Sequence, residues 1–232
     1  MNRDLKDHKL NDRSEIISAT KDFIRDKLLS AEAGHDFAHA ERVWKNAQLI
    51  AKNESVDLLV VELAALLHDV ADAKFHEGDE DLGPTIAGEF LQDLRVPPSV
   101  SDHVCQIIRH MSFKGGNEVS VFHSSEMEVV QDADRLDAIG AIGVARAFNY
   151  GGYRGRPFFD PSVRPNLGMD KKTYRESVAP TINHFFEKLL LLKDRMHTIN
   201  GRAMAEVRHE FLLEFLDRFF DEVGCNKEWP NQ

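Results

Sequence analysis

The sequence predicts an all-α protein, and three observations lead there. Apolar residues recur at steps of three and four through most of the chain, turn signals are concentrated in a few places, and alternating strand patterns are scarce. The expected architecture is a helical bundle with a long loop near 150–170 and a C-terminal helical extension. At 232 residues and 42% hydrophobic content the chain can bury a full-sized core. It reads as one domain over 1–232, with a core at about 16–150, a lid-like loop at 150–170 and terminal helices at 172–223.

The elements follow in order. A first helix is expected from about Ser14 to Leu29, capped by Asp12 or Asn11, with Ile16, Phe23 and Leu28 among its apolar positions. A second starts near Asp36, a favoured N-cap type, and sets His39, Val43, Ala47 and Ile50 on one face at steps of four, four and three. A third, about Leu58 to Val70, is apolar nearly all round, as a helix buried in the middle of a bundle would be, and closes with His68 and Asp69. Gly83 and Pro84 open a helix to about Leu94; Pro97 and Pro98 break it, and another runs from about Ser99 to Met111 before a loop at Gly115 and Gly116. From about Ser125 one helix carries Val130, Asp134, Asp137 and Ala141 on one face, and close packing is the expected reason for Gly140 and Gly143 on it. Prolines and glycines make Tyr150 to Asp170 a long loop. Amphipathic helices fill Lys172 to Val223, with Phe185, Phe186, Leu189 and Leu192 in one and Phe211, Leu212, Phe215, Leu216 and Phe219 in another, all read as core.

Composition narrows the function classes. The 39 acidic residues outnumber the 29 basic ones, a net charge of −10 that argues against binding long nucleic acids. Leu58 to Leu67, the most apolar stretch, is broken by Glu62, so no membrane span is expected. The N-terminal residues lack a secretory apolar region, and Cys105 and Cys225 are not spaced as a metal or redox pair. A cytoplasmic location follows. Tyr150 to Lys172 carries five basic residues against two acidic ones, a local excess that a small phosphorylated substrate could use.

His39, the His68–Asp69 pair and Asp134 sit on helices whose other members are apolar. Buried carboxylates without basic partners are costly, and one divalent cation would satisfy all four groups. Two imidazoles and two carboxylates suit Mn, Fe, Co, Ni or Zn and leave positions open, which means catalysis rather than structure. Asp132, Asp134 and Asp137 compete for the last ligand position. Residues 132 and 134 lie about 200° apart on a helix, so both cannot face one metal.

These segments, HDFAHAERVW around His39, LAALLHDVADAK around His68 and Asp69, and VVQDADRLDAIGAIG around Asp134, resemble the HD-domain metal-dependent phosphohydrolases, in particular the small bacterial YpgQ-like branch. The likeness covers about residues 16–195. It implies His39, His68, Asp69 and Asp134 as metal ligands, Asp137 behind them, and a nucleotide phosphohydrolase cleaving a phosphoanhydride or phosphomonoester, with manganese favoured and Mg, Co, Ni, Fe or Zn as alternatives. It further implies that Asp72 manages a proton, although relatives often have Glu there. Lys74 and Arg135 neighbour the site in sequence and suit phosphate oxygens as a point charge and a fork. Arg109, His110, Arg154 and Arg156 are further candidates for substrate contact. Two alternatives are a dinuclear-iron HD-type oxygenase, which would draw extra ligands from His103, His110 or His123, and a nucleotide-binding module without turnover. No serine-nucleophile elbow or Walker A loop is present. Whether the chain forms a homodimer is open.

Overall fold

The computed structural model describes residues 12–28, 36–71, 79, 81–111, 122–169, 173 and 177–225. Nine α-helices and no strand occur among the described residues: α1 Arg13–Lys27, α2 Phe37–Ala51, α3 Leu58–Leu67, α4 Leu82–Asp93, α5 Pro98–His110, α6 Ser125–Asp137, α7 Gly140–Tyr153, α8 Thr181–Glu187 and α9 Ile199–Glu222. Two 3-10 turns, Leu189–Leu191 and Lys193–Arg195, join α8 to α9. Caps mark the starts, because a side-chain oxygen satisfies N–H groups that the first turn leaves unpaired. Asp12 accepts from the Ser14 N–H, Asp57 from Leu59 and Val60, Ser124 from Met127, and Asp36 from the His39 N–H. The last of these fixes His39 in the first turn of α2.

The apolar helix α3 is the axis of the bundle, with every residue from Val60 to Leu67 buried and α1, α2, α5 and α6 packed around it. Glu62, the polar break in its sequence, is buried and satisfied: Arg13 Nε donates to it at 2.5 Å, Gln48 Nε2 at 2.6 Å and Trp44 Nε1 at 3.1 Å. The C-terminal extension joins the core through aromatic contacts. Phe148 of α7 meets Phe185 at 6.1 Å and Phe215 at 6.0 Å between ring centres, and those two stack on each other at 5.5 Å. None of the helices among the described residues is long and apolar enough to cross a membrane.

Four expectations need correction. Phe211, expected in the core, is 42% exposed, and Leu189 and Leu192 lie beyond the end of α8. The third helix ends at Leu67, and His68 and Asp69 lie in the turn that follows. His68 still has helical backbone angles, and its ring reaches back along the last turn to the Ala65 carbonyl, 2.9 Å from Nδ1. The helix from Ser125 stops at Asp137, and α7 starts afresh at Gly140 with φ +73°, a conformation open to glycine and strained for other residues. A Cβ there would also sit 3.0 Å from the Arg208 side chain of α9, so close packing by a neighbour is part of its reason. Finally, Tyr150 to Tyr153 belong to α7, which shortens the expected loop. Gly151 continues the helix because it packs directly against Thr181, where no side chain fits.

Candidate metal centre

Four side chains from three parts of the bundle converge. His39 comes from α2, His68 and Asp69 from the turn after α3, and Asp134 from α6, and α2 packs against both α3 and α6. His39 Nε2 lies 3.2 Å from His68 Nε2 and 3.5 Å from both Asp69 Oδ2 and Asp134 Oδ1. His68 Nε2 lies 3.4 Å from Asp69 Oδ2 and 4.0 Å from Asp134 Oδ1. Ligands held at about 2.1 Å from one ion stand roughly 3.0 Å apart at right angles and 3.4 Å apart in a tetrahedron. His39, His68 and Asp134 therefore lie close enough to share one divalent cation. Among the described residues, His39, His68 and Asp134 form the one group of three donors close enough to share an ion, and Asp69 borders both histidines.

The two histidines are held from behind. Asp137 Oδ2 lies 2.7 Å from His39 Nδ1, and the Ala65 carbonyl lies 2.9 Å from His68 Nδ1. Each acceptor places the ring proton on Nδ1 and leaves the Nε2 lone pair facing the cluster, the arrangement that ligating imidazoles need. Asp137 is itself pinned: Arg42 donates from Nε to Oδ1 at 2.6 Å and from Nη2 to Oδ2 at 3.0 Å, and Arg146 Nη1 donates to Oδ2 at 2.5 Å. Burial would raise the Asp137 pKa, but hydrogen bonds from His39 and Arg42 and the Arg146 charge hold it far below the usual carboxylate range.

The cluster attracts positive charge. Burial works to lower the His68 pKa, yet the Asp69 carboxylate and then Asp134 overcome it and push the imidazole up to about 9. His39 is likewise raised, burial being outweighed by hydrogen bonds to Asp137 and Asp69. Two imidazole lone pairs facing each other at 3.2 Å repel unless a proton or cation lies between them. Access comes from the carboxylate side: His39 is 1% exposed, whereas Asp134 is 44% exposed.

Asp132, the rival to Asp134, faces elsewhere. Fully buried, it accepts from the His197 and Thr198 N–H groups and the Thr198 hydroxyl, which fixes the start of α9. Arg135 Nη1 donates to Asp132 at 3.2 Å and to the Arg195 carbonyl at 2.9 Å, so its guanidinium ties α6 to the segment before α9. Arg109 pairs with Asp81 at 2.9 Å, and His110 stacks on Phe122. The Arg154 and Arg156 guanidiniums lie over the Tyr150 ring, and Arg156 also donates to the Ser177 carbonyl. His103 meets Ser124 at 2.9 Å and His123 meets Glu128 at 3.0 Å, neither of them in the cluster. Asp72 and Lys74 lie outside the described residues. Sequence reasoning missed Arg42 and Arg146; the available signal was an arginine one turn after His39 and a second nine residues after Asp137.

Known proteins resemble this chain in sequence and fold. The HD domain family model matches residues 36–139, from the cap of α2 to the residue before α7, a span that contains all four donors and Asp137. A Bacillus subtilis relative, the uncharacterised protein YpgQ, is 37% identical over 87% of this chain and 90% of its own length. The chain belongs to the HD-domain family. Its fold is that of the HD-superfamily hydrolases: a Bacillus thuringiensis member superposes with a TM-score of 0.73 at 38% identity, covering 93% of this chain and 100% of that one. The crystal structure of B. subtilis YpgQ in complex with ADP superposes with a TM-score of 0.71 at 34% identity over 90% of this chain and 96% of the other. A metal-dependent hydrolase is the general activity that this HD-domain membership and donor set support.

Proposed function

We propose that this HD-domain protein is a metal-dependent phosphohydrolase that acts on a nucleotide, cleaving a phosphoanhydride or phosphomonoester bond. The observation that carries the reading is the convergence of His39, His68, Asp69 and Asp134, with Asp134 the most exposed of the four. The ADP complex of the YpgQ relative supports a nucleotide as the ligand class. These four residues would hold the divalent ion, manganese by preference; when bound, it supplies acidification of water and neutralisation of phosphate charge.

The chain's own groups do the rest. Asp137 and the Ala65 carbonyl keep both imidazoles oriented, and Asp134, half-exposed, leaves room for substrate to approach. Asp72 is the proposed proton carrier and Lys74 the proposed phosphate contact. Arg109 and His110 at the end of α5, and Arg154 and Arg156 beside Tyr150, are the proposed contacts for the remainder of the nucleotide. Arg135, whose Nη1 is held by Asp132 and the Arg195 carbonyl, is a further proposed phosphate contact through its remaining N–H groups. Both cysteines are free thiols in the structure, in keeping with a proposed cytoplasmic location.

The test is a panel of nucleoside mono-, di- and triphosphates with Mn, Co and Mg, scored separately for phosphate and pyrophosphate. Release with at least one nucleotide and its loss in His68→Ala is expected. No release from any substrate, or equal release from His68→Ala, would contradict the proposal.

A further inference from the structure

Between Asp137 and Arg146 the sequence DAIGAIGVAR places Asp, Gly, Gly and Arg at steps of three. The structure gives each step a purpose. Gly140 takes φ +73°, which ends α6 and turns the chain, and Gly143 lies so close to the Ala138 carbonyl that a Cβ would overlap it. The turn is therefore tight enough for α7 to lead back beside the end of α6. Arg146 then reaches Asp137 from α7: its Nη1 donates to the carboxylate at 2.5 Å and to the Asp137 main-chain carbonyl at 3.3 Å. Arg42 reaches the same carboxylate from α2. Asp137 is 2% exposed and His39 1%, so neither can turn toward solvent. Arg146 Nη1 also stands 3.2 Å from His39 Nδ1. Arg146 lies beyond residues 36–139, the part of the chain that matches the HD-domain model.

We propose that Arg146 is a positioning residue for the metal centre: presented by the Gly140–Gly143 turn, it clamps Asp137 opposite Arg42 and so fixes His39 with Nε2 toward the ion. This rests on the reading of His39 as a ligand. The effect passes through hydrogen-bond geometry. A carboxylate gripped by two guanidiniums can only accept, so His39 must donate from Nδ1; with one grip lost, the carboxylate can swing and the ring can follow. Supporting groups of this kind commonly change metal affinity by 10- to 100-fold.

The test is calorimetric titration of metal-free protein with Mn2+, comparing wild type, Arg146→Gln, Arg146→Lys, Asp137→Asn and the Arg146→Gln/Asp137→Asn double variant. Melting curves confirm that each is folded, and 15N NMR of the imidazoles reports the tautomer. Arg146→Gln should weaken binding by 10- to 100-fold and disperse the His39 tautomer, and Arg146→Lys should recover part of both. In the Asp137→Asn background the same substitution should change affinity by less than about threefold, because a residue that acts through Asp137 has nothing left to act on. Fully additive losses, or binding by Arg146→Gln within twofold of wild type, would overturn the clamp. Failure of wild type itself to bind Mn2+ would instead overturn the ligand assignment, so the two failures are distinguishable.

Discussion

Replacing Asp132 by Asn, set beside the same change at Asp134, separates two carboxylates that stand two residues apart. Asp132 is 0% exposed and accepts from the His197 N–H at 3.0 Å, from the Thr198 N–H and hydroxyl at 2.8 Å, and from Arg135 at 3.2 Å. An amide at this position keeps one acceptor oxygen but turns an NH2 toward donors, and it removes the carboxylate to which Arg135 donates. Breaking a buried charge pair in this way costs about 3–5 kcal/mol, a large share of the roughly 5–15 kcal/mol that holds a domain folded. The crowding adds to the cost, since a Cβ at Gly201 would stand only 2.5 Å from Asp132 Oδ2 and the pocket has no slack for a rotated amide. For a chain of this length each kcal/mol moves Tm by about 2–4 °C, so Asp132→Asn should melt about 10 °C below wild type in metal-free buffer. Asp134→Asn, at a half-exposed side chain, should stay within about 1 kcal/mol of wild type. Thermal melts followed by circular dichroism, with Mn2+ titration of each variant at a temperature where it is folded, give both readouts. Asp132→Asn should keep its metal and lose stability; Asp134→Asn should do the reverse. Melting of Asp132→Asn within about 2 °C of wild type would refute the reasoning, and so would loss of metal from Asp132→Asn with retention by Asp134→Asn.

Other outcomes follow from single residues. Gly143→Ala pushes a methyl group into the Ala138 carbonyl and should destabilise by about 1–3 kcal/mol in a denaturant titration, whereas Gly152→Ala, with nothing within 4 Å, should be neutral or slightly stabilising. Glu62→Ala strands the Trp44, Gln48 and Arg13 donors beside α3 and should cost about 2–3 kcal/mol, with a change in Trp44 emission. His184 is pushed down to about 3 by burial and then by the Lys188 and Arg156 charges. Its folded pKa lies below the unfolded value of about 6.5, so the unfolded chain takes up the proton first as pH falls. Stability should decline from pH 6.5 toward 3 and be unaffected by this residue above 6.5. Chemical denaturation across that range should show a shallower acid decline in His184→Asn.

Parts of this architecture are written in local sequence. Asp36 as a cap and the run His39, Val43, Ala47, Ile50 suffice to place His39 on the inner face of α2, and the apolar run from Leu58 suffices to place α3 at the centre. The break after Asp137 is hidden because Val130, Asp134, Asp137 and Ala141 continue a helical period straight through it; only the backbone shows that Gly140 carries a positive φ. Gly151 and Gly152 suggest a loop, yet Gly151 serves the helix by admitting Thr181, a contact 30 positions along the chain. Arg135 adjoins Asp134 in sequence, but one group it binds, the Arg195 carbonyl, lies 60 residues away. Arg42 meets Asp137 across 95 residues. Periodicity reports which way a side chain points along its own helix; it is silent on what another helix brings to meet it.

The most direct measurement of the central claim is a Mn2+ titration of the metal-free protein with stoichiometry determined. The geometry of His39, His68, Asp69 and Asp134 predicts one ion per chain, with binding abolished in His68→Ala and in Asp134→Asn. Two ions per chain, or unchanged affinity in His68→Ala, would contradict it.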